Sequence, residues 1–231
     1  MATQTLADRQ LLGFDLETTS ADPRTARIVT AAVVPAGGQA LTWLADPGVP
    51  IPAEAAAIHG ITTQRARAKG APAREVVREV RWALERLWSE GGVVVAYNAS
   101  YDLTLLAAEL RRHGLPPLPL GPVLDPLVLW RHAERYRRGK KTLGDAVERF
   151  GITLTDAHSA LADAQAAVEV TRALDALVGW SAWAPDEAMR RQAAWHREWA
   201  THFAEWFASV GGDATGIDPV WPVGEAGRRA A

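Results

Sequence analysis

Three short stretches of the 231-residue chain carry acids, and one a histidine, that could converge on a bound cation. In "GFDLETTS", Gly13 to Ser20, acids alternate with apolar residues. In an extended strand Asp15 and Glu17 share one face, while Leu12, Phe14 and Leu16 point into the other layer. Two carboxylates side by side repel, and a divalent cation between them makes the arrangement tolerable. Taken alone, an acid pair at the exposed end of a strand is the commoner use. In "AYNASYDLTLL" Asp102 falls in the first turn of a helix, directly after an apolar strand. The C-terminal end of a strand is where α/β sheets place their sites, although an acid there also simply complements the helix macrodipole. In "DAHSALADA" His158 and Asp163 are five positions apart, about 140° around a continuous helix at about 100° per residue. They can serve one spot only if His158 lies before the helix, which would leave Asp163 to hold a metal and His158 to reach a water molecule. A lone histidine is more often structural.

The elements that must position these residues follow from periodicity. "LLGFDLETT" and "RIVTAAVVPAGGQALTWLADPG" read as three successive strands, the last two joined at Pro35 to Gly38, and suggest the antiparallel start of a sheet. A helix follows with Val76, Val77, Val80, Leu84, Leu87 and Trp88 as its apolar stripe. "VVVAY" is a continuous apolar run, as expected of a central strand covered on both faces. Asp125 and Pro126 look like the N-cap and first position of one helix, Thr142 caps another, and Leu161, Ala164, Val168, Thr171 and Val178 mark a long one. The fold class is therefore α/β, a mixed sheet flanked by helices, with a C-terminal helical extension. The composition shifts near "GWSAWAPD", which divides the chain into a domain over 1–180 and a Trp-rich helix and tail over 181–231.

Composition narrows the chemistry. With 48% hydrophobic and 23% charged residues the chain reads as a folded soluble protein. It has no apolar run long enough to cross a bilayer, and "MATQTLADRQ" lacks the regions of a signal peptide, so the expectation is a cytoplasmic protein without membrane contact. The absence of cysteine leaves carboxylates and histidine as metal ligands. A net charge of −2 argues against coating nucleic acid by bulk charge but allows a local basic groove. "RHAERYRRGKK" is the best such cluster, with Lys140 and Lys141 at its end; it is either a solvated helix end or a phosphate contact. On the terminal helix Trp195, Trp199 and Trp206 fall on one stripe. Packing on the domain or on a second copy is the commoner use of such a stripe, and stacking on bases is the other.

Together, "FDLETTS", "YNASYD" and "HSALADA", in this order, resemble the three motifs of the DEDDh exonucleases, 3′-to-5′ nucleases of RNase H-like fold. The branch most similar holds the epsilon proofreading subunits of bacterial replicative polymerases and free-standing actinobacterial exonucleases. The resemblance covers about Leu11 to Val178. It implies that Asp15, Glu17, Asp102 and Asp163 are metal ligands and that His158 is the catalytic histidine. It further implies that Leu16, Thr18, His59, Asn98 and Tyr101 contact the substrate. Two departures stand out: Tyr97 where relatives often have histidine, and Ser20 where glycine is usual.

The activity implied is hydrolysis at a DNA 3′ end, single-stranded or frayed. Two Mg or Mn ions about 3.5 to 4 Å apart would lower the pKa of the attacking water and hold the leaving oxygen. An imidazole is the commonest general base, so His158 suits proton removal. An RNA-directed enzyme is the alternative within the same chemistry, and a polymerase-docking or nucleic-acid-binding module without activity is the alternative of another class. The full acid set argues against the module. Polymerase association is compatible with the resemblance, and the sequence is silent on the oligomeric state.

Overall fold

The computed structural model describes residues 4–35, 39–154 and 157–224. Its frame is a six-stranded sheet in the order β4-β3-β2-β1-β5-β6. The strands are β1 (Leu11–Thr18), β2 (Ile28–Pro35), β3 (Leu41–Asp46), β4 (Ala71–Pro72), β5 (Val93–Val95) and β6 (Val123–Leu124). The first three are antiparallel neighbours, whereas β5 runs parallel to β1 and β6 parallel to β5. The expected antiparallel start and mixed sheet are therefore present. The turn expected at Pro35 to Gly38 lies outside the described residues beyond Pro35. β4 is a two-residue parallel addition to β3 that no pattern in the sequence marks.

Around the sheet stand α1 (Ala53–His59), α2 (Thr63–Lys69), α3 (Ala73–Ser89), α4 (Ala99–Arg112), α5 (Pro126–Ala133), α6 (Leu143–Phe150), α7 (Ala160–Val178) and α8 (Pro185–Ser209). One side of β1 packs through Phe14 and Leu16 against the α3 stripe and Leu103, Leu106 and Leu110 of α4. On the other layer α7 lies against β1 and β2, with Ala160 and Ala164 against Ala32. That approach is close because Gly13 has no side chain: a Cβ there would be driven into the Ala164 carbonyl. Small residues on both elements thus set the distance between the strand that carries Asp15 and the helix that carries Asp163.

Local capping agrees with the sequence. The Asp125 carboxylate accepts from the Leu127 and Val128 amides ahead of Pro126, and Thr142 and Asp145 form a reciprocal capping box at α6. The C-terminal segment packs on the sheet's edge. At β6 the Gln192 side chain accepts from the Asp125 amide at 2.7 Å and donates to the Val123 carbonyl at 2.9 Å, pairing an edge strand with a helix side chain. Trp221 and Val223 are buried in the same core as Phe14, and the Gly224 amide donates to Thr104 Oγ1 at 2.8 Å. The 181–231 segment therefore shares the domain's core through its described part. No helix among the described residues is long and apolar enough to cross a membrane.

Candidate active site

β1 presents Asp15 and Glu17 on the face that α7 covers, as the alternation of the strand requires. Asp163 lies in the first turn of α7. One carboxylate oxygen from each of the three lies within 4.8 Å of the others. The convergence is electrostatically costly. Burial first, then the charges of Asp102, Glu17 and Asp163, push the Asp15 carboxyl well above the usual range. Burial and the Asp163 charge bring Glu17 up to about 7. An all-carboxylate donor set with mutual repulsion fits a hard divalent cation, which would neutralise the charge that raises both acids.

Asp102 sits beside this group and not within it. It is buried in the first turn of α4, and its Oδ1 accepts the Leu16 amide at 3.1 Å. That bond fixes β1 to α4 one residue from each strand acid, and burial drives the Asp102 carboxyl up as well. The expected substrate contact of Leu16 is not seen, because its side chain is buried in the core and its amide is taken by Asp102. His158 lies on the turn preceding α7, exposed and in the left-handed region at φ 67°. This is the placement that the spacing of His158 and Asp163 requires if both are to serve one spot.

The remaining residues group around the end of β1. Thr18 Oγ1 and the Tyr101 hydroxyl are 2.5 Å apart, and Tyr101 donates to the Ser20 carbonyl. Burial pushes Tyr101 up to about 12, so it stays protonated. His59 ends α1; its Nδ1 accepts from the Ile61 amide, and burial lowers its pKa against an opposing hydrogen bond with the Thr18 backbone. Asn98, with φ 65°, begins α4 in the left-handed region. Tyr97, the departure from the resembled pattern, places its hydroxyl 2.8 Å from the Lys141 carbonyl and 3.0 Å from that of Thr142.

Sequence reasoning missed the second task of Asp125. Besides capping α5, its carboxylate accepts from the Asn98 and Ala99 amides at 3.0 Å each and from Trp221 Nε1 at 3.1 Å. One buried acid thus aligns the starts of α4 and α5 and anchors the tail. Only the capping half of that role has a local signal, the Asp-Pro pair.

The mixed sheet between helices is an RNase H-like fold, with a strand acid pair and a helix acid converging on it. The exonuclease family model RNase_T matches residues 12–171, and the chain belongs to that family. It is 35% identical over 172 residues to a DNA polymerase III subunit epsilon-like protein of Rhodobacter capsulatus, covering 68% of this chain and 22% of that one. It is 36% identical over 124 residues to the PolC-type DNA polymerase III of Streptococcus thermophilus, covering 52% of this chain and 8% of the relative. The chain therefore spans under a quarter of the length of these two relatives. The Escherichia coli exonuclease I structure solved with a dA16 oligonucleotide superposes with a TM-score of 0.63 over 73% of this chain and 41% of that one. At 20% identity this likeness shows the fold.

Proposed function

We propose that the protein is a divalent-metal-dependent 3′-to-5′ exonuclease of the cytoplasm acting on single-stranded or frayed DNA ends. The observation that carries the reading is the convergence of Asp15, Glu17 and Asp163 from two separate elements, at an electrostatic cost that a cation would remove. Asp102 completes the donor set from α4. Two bound cations, Mg or Mn, would supply Lewis acidity toward the attacking water and the departing 3′-oxygen.

The chain's own residues do the rest. His158, on an exposed turn ahead of the Asp163 helix, takes the proton from the attacking water as general base. The Thr18–Tyr101 pair and His59 hold the terminal nucleotide at the end of β1, and Asn98 borders it from the start of α4. The Leu16 amide, held by Asp102, keeps the strand in register with α4 during turnover. The likeness to polymerase III subunits supports a proofreading role beside a polymerase.

Incubation of 5′-labelled single-stranded DNA and RNA with Mg²⁺ or Mn²⁺, with Asp15→Ala as control, tests the reading. Progressive shortening of the DNA that Asp15→Ala abolishes is expected. Preference for RNA would change the substrate, and binding without cleavage would overturn the enzyme assignment.

A further inference from the structure

The aromatic stripe of α8 divides in two. Trp195 is half-buried against the domain: it stacks on His132 with centroids 3.6 Å apart and meets Trp183 edge-on at 5.7 Å, and its remaining surface lines the inner end of a groove along α8. Beyond it the stripe runs onto the surface as a ladder. Trp199 and Phe203 lie 5.2 Å apart with planes at 11°, Phe203 and Phe207 5.7 Å apart at 6°, and Trp206 stands 5.6 Å from Phe203 at 30°. Trp206 is 56% exposed, which is costly for so large a ring unless it has a partner.

What faces the ladder is positive. The groove, of about 550 Å³, is lined by the aromatic rings of Trp199, Phe203 and Trp206 together with Arg131, Arg135 and Lys141. Glu198 also lines it, tied to Arg135 at 2.7 Å. The Arg131 guanidinium lies 3.3 Å from the Trp199 ring centroid. A second cavity, of about 830 Å³, is also bounded by Arg131 and Trp199 and reaches Asn98 and Tyr101, next to Asp102. Sharing Arg131 and Trp199, the two cavities form one path from Asn98 and Tyr101, where Asp22 and Asp218 also line it, to the far end of α8.

We propose that this groove binds the part of a single-stranded nucleic acid lying 5′ of the nucleotide being removed, with Trp206 as its outer stacking platform; the direction rests on the exonuclease reading above. Aromatic faces beside a positively charged track are the combination that holds single strands without sequence preference. The charge selects the occupant. A second copy of this chain, docked by the same patch about a twofold axis, would set these cations against themselves. The Phe203 and Phe207 rings behind Trp206 limit its freedom, so stacking a base on it costs little ordering.

The test measures binding of 5′-labelled oligo-dT of four and sixteen nucleotides to the full chain by fluorescence anisotropy in EDTA, where no strand is shortened. The wild type should bind the sixteen-mer at least about tenfold tighter than the four-mer, and Trp206→Ala should reduce that advantage by about five- to a hundredfold. Trp206→Phe should restore part of it. Lys141→Ala should reduce the slope of log affinity against log salt by about 0.7. Equal binding of both lengths by the wild type, or an unchanged length advantage in Trp206→Ala, overturns the proposal. So does a concentration-dependent dimer that Trp206→Ala dissolves while strand binding stays the same. Loss of the length advantage together with failure of the wild type to shorten any strand in Mg²⁺ or Mn²⁺ would keep the groove and overturn the exonuclease reading instead.

Discussion

Replacing Glu17 by glutamine should make the metal-free protein more stable at neutral to alkaline pH. Burial and the Asp163 charge carry the Glu17 carboxyl from an ordinary 4.5 to about 7. Between those values the folded chain binds more protons than the unfolded chain, so this carboxyl costs nothing below about 4.5, and its full cost is reached above about 7. The interval corresponds to roughly 3 kcal/mol, and partial solvent access reduces it to about 2 kcal/mol. Glutamine keeps the size and removes the charge. At about 2–4 °C per kcal/mol for a chain of this length, the thermal midpoint of Glu17→Gln should lie ~4–8 °C above the wild type near pH 8 in EDTA. The difference should vanish toward pH 4.5. Mg²⁺ should raise the wild-type midpoint near pH 8 and raise that of Glu17→Gln less. Scanning fluorimetry across this pH range, with EDTA or Mg²⁺, measures all of it. A Glu17→Gln midpoint equal to or below the wild type near pH 8 in EDTA would refute the cost assigned to burying the Glu17 charge beside Asp163.

Other perturbations separate positioning from chemistry. Gly13→Ala should cost about 1–3 kcal/mol, because the new methyl forces β1 away from the Ala164 carbonyl, and turnover should fall as Asp15 and Asp163 separate; thermal melts paired with rates on one oligonucleotide check this. Asp125→Ala leaves the Asn98, Ala99, Leu127 and Val128 amides without their acceptor and should cost about 3–5 kcal/mol in denaturant titrations. His158→Ala should lower the single-turnover rate by orders of magnitude while Mn²⁺ affinity, followed by calorimetry, stays close to wild type. An equal loss of metal affinity would contradict the base assignment.

The parts of the site that obey local rules were legible in the sequence. Alternation alone put Asp15 and Glu17 on one face, the five-residue spacing required His158 to precede α7, and the Asp-Pro pair and Thr142 marked two helix starts. The long-range contacts had no local signature. Trp221 reaches Asp125 across 96 positions and Gln192 reaches Val123 across 69, so nothing near any of these residues announces the bond. The aromatic stripe was visible, but how much of it is covered depends on His132 of α5 and on Trp183, which meet Trp195 from distant parts of the chain. The place of Asp102 in the first turn of a helix was legible, while its bond to the Leu16 amide depends on how closely α4 approaches β1.

On the proposed reading, the three converging carboxylates support metal-dependent removal of nucleotides from a 3′ end. Its most direct test follows one DNA strand in two forms, labelled at the 5′ end or on the 3′-terminal nucleotide, with Mg²⁺ or Mn²⁺. Early release of the 3′ label as mononucleotide is expected, with the 5′ label retained in a shortening ladder, and neither change in EDTA or with Asp163→Ala. Release of the 5′ label first, internal cutting, or undiminished digestion by Asp163→Ala would contradict that reading.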